Sequence, residues 1–174
     1  MVGGGGTGVL VGGTFVGGTG YDYGFSLAAA GGLAWLTGRT YSNDFPTTSG
    51  AYDTTFNGGL WDSFLVVIDP QSGGASDLSY ATYLGGNTLE DGYGIAVADG
   101  KAWLAGFTSS TDFPTSTGAY DTSFSYGSWD AFLTIINPAG TGTGDLFYSS
   151  YLGGPGGSDQ GYDIALDQGK AWLV

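Results

Sequence analysis

The chain has 174 residues, 36 of them Gly, and it contains no Cys and no His, which excludes disulfides, thiolate and imidazole metal ligands, cysteine nucleophiles and the usual general base. Lys and Arg number 3 against 16 Asp and Glu, and the net charge of -13 repels nucleic acid. No apolar run approaches the length of a membrane span, and residues 1–6 lack the basic and apolar regions of a secretory signal.

The sequence repeats itself, and the offset from Trp35 to Trp103 is 68 residues. The motif Ala34-Trp35-Leu36 returns as Ala102-Trp103-Leu104, and Asp44-Phe45-Pro46-Thr47 returns as Asp112-Phe113-Pro114-Thr115. In chain order we predict a Gly-rich leader (residues 1–18) with an outer strand at residues 9–17, a first unit at residues 19–86, a second at 87–154 and a partial third at 155–174.

Four segments of the second unit have the length and composition of β-strands, namely residues 94–98, 102–108, 130–136 and 146–152, here called a, b, c and d. Asp99-Gly100 between a and b is typical of a tight hairpin turn, and Pro138 predicts a further turn between c and d. The repeated connection from b to c predicts an ordered excursion in which Tyr120 and Phe124 are apolar anchors.

No segment has the periodicity of an α-helix. Repeated four-stranded antiparallel units are typical of β-propeller blades. We therefore predict an all-β chain of tandem propeller-type blades, with about two complete blades and partial ones at both ends.

Several motifs resemble the SBBP-type β-propeller repeats of bacterial secreted and surface proteins. They are Gly92-Tyr93-Gly94-Ile95-Ala96-Val97, Ala102-Trp103-Leu104-Ala105-Gly106-Phe107-Thr108, Ser110-Thr111-Asp112-Phe113-Pro114-Thr115, Trp129-Asp130-Ala131-Phe132 and Tyr148-Ser149-Ser150-Tyr151-Leu152-Gly153-Gly154. The resemblance implies propeller blades and an extracellular or cell-surface location, and it brings no catalytic residues with it.

The third unit stops after its a and b segments, at Trp172-Leu173-Val174. An a–b hairpin exposes the backbone donors and acceptors of its outer strand, so we expect another blade or a neighbouring subunit to cover that edge. Contacts of this head-to-tail kind build filaments when they do not close by rotation.

Acidic residues recur with the repeat and allow two interpretations. Calcium takes carboxylate oxygens from loops, but Asp in turns also accepts hydrogen bonds from backbone amides, and we favour the second reading because no EF-hand spacing is present. We therefore assign no metal ligand and no cofactor, with Ca²⁺ as the alternative. The acids concerned are Asp44 and Asp112, Asp53 and Asp121, Asp62 and Asp130, and the turn residues Asp22, Glu90, Asp91, Asp159 and Asp163.

Two further sets of residues are candidate functional sites. Glu90-Asp91 could serve acid–base hydrolysis of sugars, but neighbours on a strand point to opposite faces and the other copies lack the pair, so we assign no catalytic residue. The tryptophans could stack on sugar rings, but their recurrence at the period favours core packing. They are Trp35, Trp103 and Trp172 in segment b, and Trp61 and Trp129 at the start of segment c.

We accordingly expect a non-enzymatic structural or interaction protein that self-associates through unpaired strand edges. The alternative is a module that binds carbohydrate or another cell-surface polymer through its aromatic excursions, with Tyr52 and Tyr120 as the residues to test.

Overall fold

The computed structural model describes residues 13–72 and 74–174, and these form antiparallel β-sheets. Each of the first two sheets has four strands that pair in chain order. A two-stranded hairpin follows. The strands are β1 Asp22–Ala30, β2 Leu33–Thr40, β3 Asp62–Ile68 and β4 Leu78–Leu84; β5 Glu90–Ala98, β6 Lys101–Thr108, β7 Asp130–Ile136 and β8 Leu146–Leu152; and β9 Ile164–Asp167 with β10 Lys170–Leu173.

The predicted all-β class is confirmed, since the only helical segments described are single 3₁₀ turns at Gly74–Asp77 and Gly142–Asp145. The described strands do not close into a ring. No helix in the described part of the chain is long and apolar enough to cross a membrane.

The predicted bounds of segments c and d are confirmed, whereas the predicted start of segment a is wrong. Segments c and d coincide with β7 and β8. Segment a was placed too late, because β5 begins at Glu90 and not at Gly94. Glu90, Asp91 and Gly92 have low intrinsic strand propensity, and it is their pairing with β6 that makes them extended.

The outer strand predicted at residues 9–17 lies partly outside the described residues. Residues 9–12 lie outside the described residues, and residues 13–17 form no strand. The backbone amides that follow donate to side-chain carboxylates. Gly18 N–H donates to Asp22 at 2.9 Å, and Thr19 N–H donates to Asp44 at 2.8 Å.

The turn predicted between β5 and β6 is present. Asp99 and Gly100 have φ angles of 51° and 70°, the two consecutive left-handed residues that a type I′ hairpin needs. The turn at residues 98–101 therefore reverses the chain direction and matches the twist of the flanking strands.

Both inner hairpins contain a β-bulge at the same repeat position. The register shifts between Gly24 and Ser26 in β1 and between Gly92 and Gly94 in β5. Phe25 and Tyr93 are thus the extra residues, and each bulge turns an aromatic side chain out of the regular alternation.

The first two sheets pack face to face over one hydrophobic core. From the first sheet, Trp35, Leu65 and Val67 meet Ile95 and Leu104 of the second. A separate cluster around Phe64, Val66 and Ile68 lies on the other face of the first sheet. Strand β5 packs against β1 and β2, and β9 packs against β5 and β6. The first strands of successive sheets, β1, β5 and β9, are therefore neighbours.

The excursions between β2 and β3 and between β6 and β7 are ordered and closely alike. Phe45 stacks on Phe64 with ring centroids 4.8 Å apart, and Phe113 stacks on Phe132 at 4.7 Å. Phe124 contacts the core as predicted, but Tyr120 is 81% exposed and is no anchor. Its counterpart Tyr52 packs on the core that the next sheet completes, and Tyr120 has no such partner among the described residues.

Candidate functional site

The carboxylates of the excursions accept hydrogen bonds from backbone amides. Asp53 Oδ1 accepts the N–H of Thr55 at 2.8 Å, and Asp121 Oδ1 accepts that of Ser123 at 2.9 Å, as in turns closed by an Asp side chain. Asp112 Oδ1 accepts the N–H of Asn87 at 2.9 Å. Among the residues that the structure describes, no group of three or more Asp or Glu could hold a metal ion.

The acids at the start of β1 and β5 accept hydrogen bonds from hydroxyls at and after the end of the following strand. Glu90 Oε1 accepts hydrogen bonds from the hydroxyls of Thr108 at 2.6 Å and Ser110 at 2.5 Å. Asp22 accepts from Thr40 and Ser42 in the same way. At the third copy, Asp159 Oδ2 accepts the N–H of Gly154 at 3.1 Å.

Glu90 and Asp91 do not form a pair, because they lie in separate surroundings. Glu90 is held by the hydroxyls at the end of β6, whereas Asp91 Oδ2 lies 3.3 Å from Nη1 of Arg39. Both side chains are buried. Burial raises the pKa of Asp91, and the nearby Tyr93 hydroxyl and Arg39 guanidinium oppose that shift.

Glu90 instead faces Asp62, a buried acid at the start of β3. A Cβ atom on Gly85 would stand 2.8 Å from both Asp62 Oδ1 and Glu90 Oε2, so these two oxygens converge on that glycine. Neither oxygen has a hydrogen-bond partner. Burial raises the pKa of Asp62 to about 7, with a further contribution from Glu90, and burial also raises the pKa of Glu90.

Burial and the nearby Glu90 carboxyl both favour the protonated form of Asp62. Both carboxyls are fully buried, so they offer no route for a substrate. The sequence analysis did not foresee this pair. The available signal was the presence of an acid at the start of two neighbouring apolar strands.

Arg39 lies at the centre of an aromatic cage and breaks the repeat. Its guanidinium carbon is 4.8 Å from the ring centroid of Trp61 and 5.0 Å from that of Tyr23, with Phe25 and Tyr41 within 5.6 Å. The matching residue of the second unit is Phe107. A single Arg in an otherwise repeated position was the signal in the sequence, and it was missed.

Three rings form a line across the sheets, which we call the aromatic row: the bulge residues Phe25 and Tyr93, and Tyr162, which precedes β9. The centroid distances are 5.4 Å from Phe25 to Tyr93 and 5.4 Å from Tyr93 to Tyr162. Tyr23 extends the row, stacked on Phe25 at 6.4 Å. Phe25 is 39% exposed and Tyr162 is 62% exposed, whereas Tyr93 between them is partly buried.

The tryptophans differ in burial from copy to copy. Trp35 is buried between the first two sheets, Trp103 is partly buried, and Trp172 is largely exposed. Trp61 and Trp129 are partly buried beside the aromatic row, and they form isolated bridges with Leu89 and Ser158 respectively. The burial of a given repeat position thus depends on whether a sheet covers it.

No protein-family model matches the chain, and no curated protein matches it.

Proposed function

We propose that the chain is a structural or interaction protein of the cell exterior, built from β-propeller blades of the SBBP type. Each four-stranded sheet is one blade, and its open faces are covered by further units of the same kind in a head-to-tail array. The observation that carries the proposal is that exposed Leu27 and Trp172 occupy repeat positions that are buried between the first two sheets, where Ile95 and Trp35 stand.

The open face of the first sheet matches the covered face of the second. Leu27 is 61% exposed, whereas Ile95 at the same repeat position is 6% exposed against the first sheet. A groove of about 350 Å³ runs over this open face and is lined by Leu27, Ala34, Leu36 and Ile68. A sheet like the first one is the complementary partner for such a surface.

The far face of the second sheet matches the covered face of the first. Tyr80 in the first sheet donates its hydroxyl to buried Asp145 of the second at 3.0 Å, and Gly142 N–H donates to the carbonyl of Gly50 at 2.7 Å. Gly118, the counterpart of Gly50, has open space on the same side. A further unit with the same 3₁₀ turn would reproduce these contacts.

The outer edge of β10 also supports an additional strand. Strands β2 and β6 each pair with two neighbours, whereas β10 pairs only with β9 among the described strands. Unpaired backbone groups at such an edge favour addition of a strand.

Sedimentation velocity from low to high micromolar concentration tests the proposal. We expect concentration-dependent assemblies that Leu27→Asp disperses, because it places a charge on the open face. Leu60→Asp is the matched control, since Leu60 is 64% exposed on a loop outside that face. A discrete monomer at every concentration, or equal dispersal by both variants, would overturn the proposal.

The second candidate is binding of carbohydrate or another surface polymer by the excursions. Tyr120 is exposed and free for such contacts. Tyr52 packs against the core, and burial raises the pKa of its hydroxyl to about 12. Binding of a glycan that is lost in Tyr120→Ala and kept in Tyr126→Ala would favour this candidate, and equal binding by both would exclude Tyr120.

A further inference from the structure

The β9–β10 hairpin occupies the place of the first two strands of a third sheet. Strand β9 packs against β5 and β6 as β5 packs against β1 and β2. The pairing within the hairpin also matches, because Trp172 lies opposite Ala165 as Trp103 lies opposite Ala96. Among the described residues, the strands of a third sheet that would correspond to β7 and β8 are the ones not represented.

The part of the second sheet that such strands would cover is more exposed than its counterpart in the first sheet. Leu133 and Leu152 are partly buried, whereas Leu65 and Leu84 at the same repeat positions are fully buried. Leu65 and Leu84 lie in one core with residues of β7 and β8, among them Phe132. A strand pair like β7–β8 would therefore bury the same surface of the second sheet.

Tyr148 on β8 is held in the same way as Tyr80 on β4. The hydroxyl of each accepts a backbone N–H of its own excursion, from Tyr120 at 3.1 Å and from Tyr52 at 2.9 Å respectively. The Tyr80 hydroxyl also donates to the carboxylate of Asp145, in the turn between β7 and β8, at 3.0 Å. The described residues provide no such carboxylate for the Tyr148 hydroxyl.

The excursion of the second unit provides a second point of contact. Gly50 accepts the N–H of Gly142, from the same turn of the next sheet, at 2.7 Å. Gly118 has the same φ angle of 79° as Gly50, and the space beside it is open. Its backbone therefore has the conformation in which Gly50 accepts that bond.

The outer edge of β10 presents backbone groups at defined residues. Val174 and Asp163 exchange both backbone hydrogen bonds, so the alternation of an antiparallel pair directs Trp172 toward β9 as well. Ala171 and Leu173 direct their N–H and C=O groups to the opposite side. The residues at these repeat positions in β2 and β6 lie opposite β3 and β7. The edge of β10 thus has the register that a strand like β7 requires.

We propose that the outer edge of β10 and the adjoining face of the second sheet bind a β-hairpin of the β7–β8 kind. The hairpin adds to β10 as an antiparallel strand, and the turn between its strands places a carboxylate against the Tyr148 hydroxyl. The inference rests on the proposed function, because it names the part of a further unit that docks at this end. A complete four-stranded sheet does not fit there, since β9 and β10 already lie where its first two strands would pack.

Fluorescence anisotropy of a labelled peptide of residues 129–154, titrated with the whole chain, tests the inference. The peptide contains both strands of the hairpin and Asp145 in their connecting turn. We expect saturable binding of one peptide per chain, and no binding of a peptide with the same residues in scrambled order. Tyr148→Phe should weaken binding about tenfold, the effect of losing a hydrogen bond to a charged acceptor. Tyr21→Phe is the matched control, because it removes the hydroxyl of an exposed tyrosine that precedes β1.

Two further variants locate the site. Ala171→Pro removes an outward N–H of β10 and leaves the hydrogen bonds between β9 and β10 in place, so it should abolish binding, whereas Ala171→Ser keeps the N–H and should preserve binding. An Asp145→Asn peptide should bind the unmodified chain about tenfold more weakly, and Tyr148→Phe should weaken the binding of that peptide no further. Thermal unfolding checks that each variant is folded, and Tyr148→Phe remains the test if Ala171→Pro is unfolded.

The inference is overturned if the peptide does not bind at high micromolar concentration, or if it binds folded Ala171→Pro as it binds the unmodified chain. It is also overturned if the effects of Tyr148→Phe and Asp145→Asn simply add. A chain that assembles in sedimentation velocity but does not bind the peptide contradicts this inference and leaves the proposed function standing. A chain that binds the peptide as expected but stays monomeric supports the inference and contradicts the proposed assembly.

Discussion

The buried Asp62–Glu90 pair predicts that the protein loses stability as the pH rises from about 4 to about 7. The pKa of Asp62 is raised to about 7 in the folded protein from an ordinary value of 3.8. Folding therefore favours the protonated form, and the unfolded chain binds fewer protons between these two values. The free energy of unfolding falls as the pH rises from about 4 to about 7 and then levels off.

The substitution Asp62→Asn removes the part of this pH-dependent loss of stability that Asp62 causes. A shift of about three pKa units corresponds to about 4 kcal/mol when it is fully realised. Asn keeps an oxygen that can accept the Asn57 N–H, which Asp62 Oδ2 accepts at 2.7 Å, and its amide can donate toward the unpartnered Oε2 of Glu90. We expect the variant to be more stable than the unmodified chain at pH 8 and similar to it at pH 4.

Urea unfolding followed by tryptophan fluorescence at pH 4, 6 and 8 measures the effect. Asp99→Asn is the matched control, because it removes the same charge from an exposed turn where Asn tolerates the positive φ of 51°. We expect a smaller dependence of the unfolding free energy on pH only in Asp62→Asn, with Glu90, Asp91 and Asp130 contributing to the part that remains. Equal slopes in the variant and the unmodified chain would refute the reasoning.

Three further substitutions test the packing by the same unfolding measurement. Arg39→Met should lower the free energy of unfolding by about 3 kcal/mol, because it leaves Asp91 buried without its ion-pair partner. Adding Asp91→Asn should recover most of that loss. A double variant that is no more stable than Arg39→Met would contradict this. Trp35→Ala should cost about 3–5 kcal/mol, whereas Trp172→Ala at the same repeat position should cost less than about 1 kcal/mol, and similar losses would argue against the observed difference in burial. Gly85→Ala should cost about 2 kcal/mol, since its Cβ would stand 2.8 Å from two carboxylate oxygens, and an unchanged midpoint would exclude that crowding.

Local sequence signals were sufficient for segments c and d and for the turn between a and b. Segments c and d are continuous apolar runs bounded by turn residues, and they coincide with β7 and β8. Asp99-Gly100 predicted a hairpin turn because few other residue pairs adopt two positive φ angles at low cost. The period of the sequence likewise predicted two sheets with the same strand order.

The site could be predicted only in part, because its contacts join residues far apart in the chain. Asp62 and Glu90 start strands of different sheets, and Arg39 reaches Asp91 across the same boundary. Their proximity depends on how one sheet packs on the next, which no local pattern encodes. The bulges that align Phe25 with Tyr93 were missed for the same reason, since a bulge is a property of the strand pair.

By itself, the sequence determined the all-β class, the repeat period and the turn positions, because these depend on alternation, composition and residues close in the chain. The tertiary structure decided which copies of a repeated residue are buried. Tyr52 and Tyr120 stand in nearly identical sequences, yet only Tyr52 packs on a core completed by the next sheet. Burial depends on the neighbouring unit, so nearly identical sequences acquire different surroundings and different exposure to solvent.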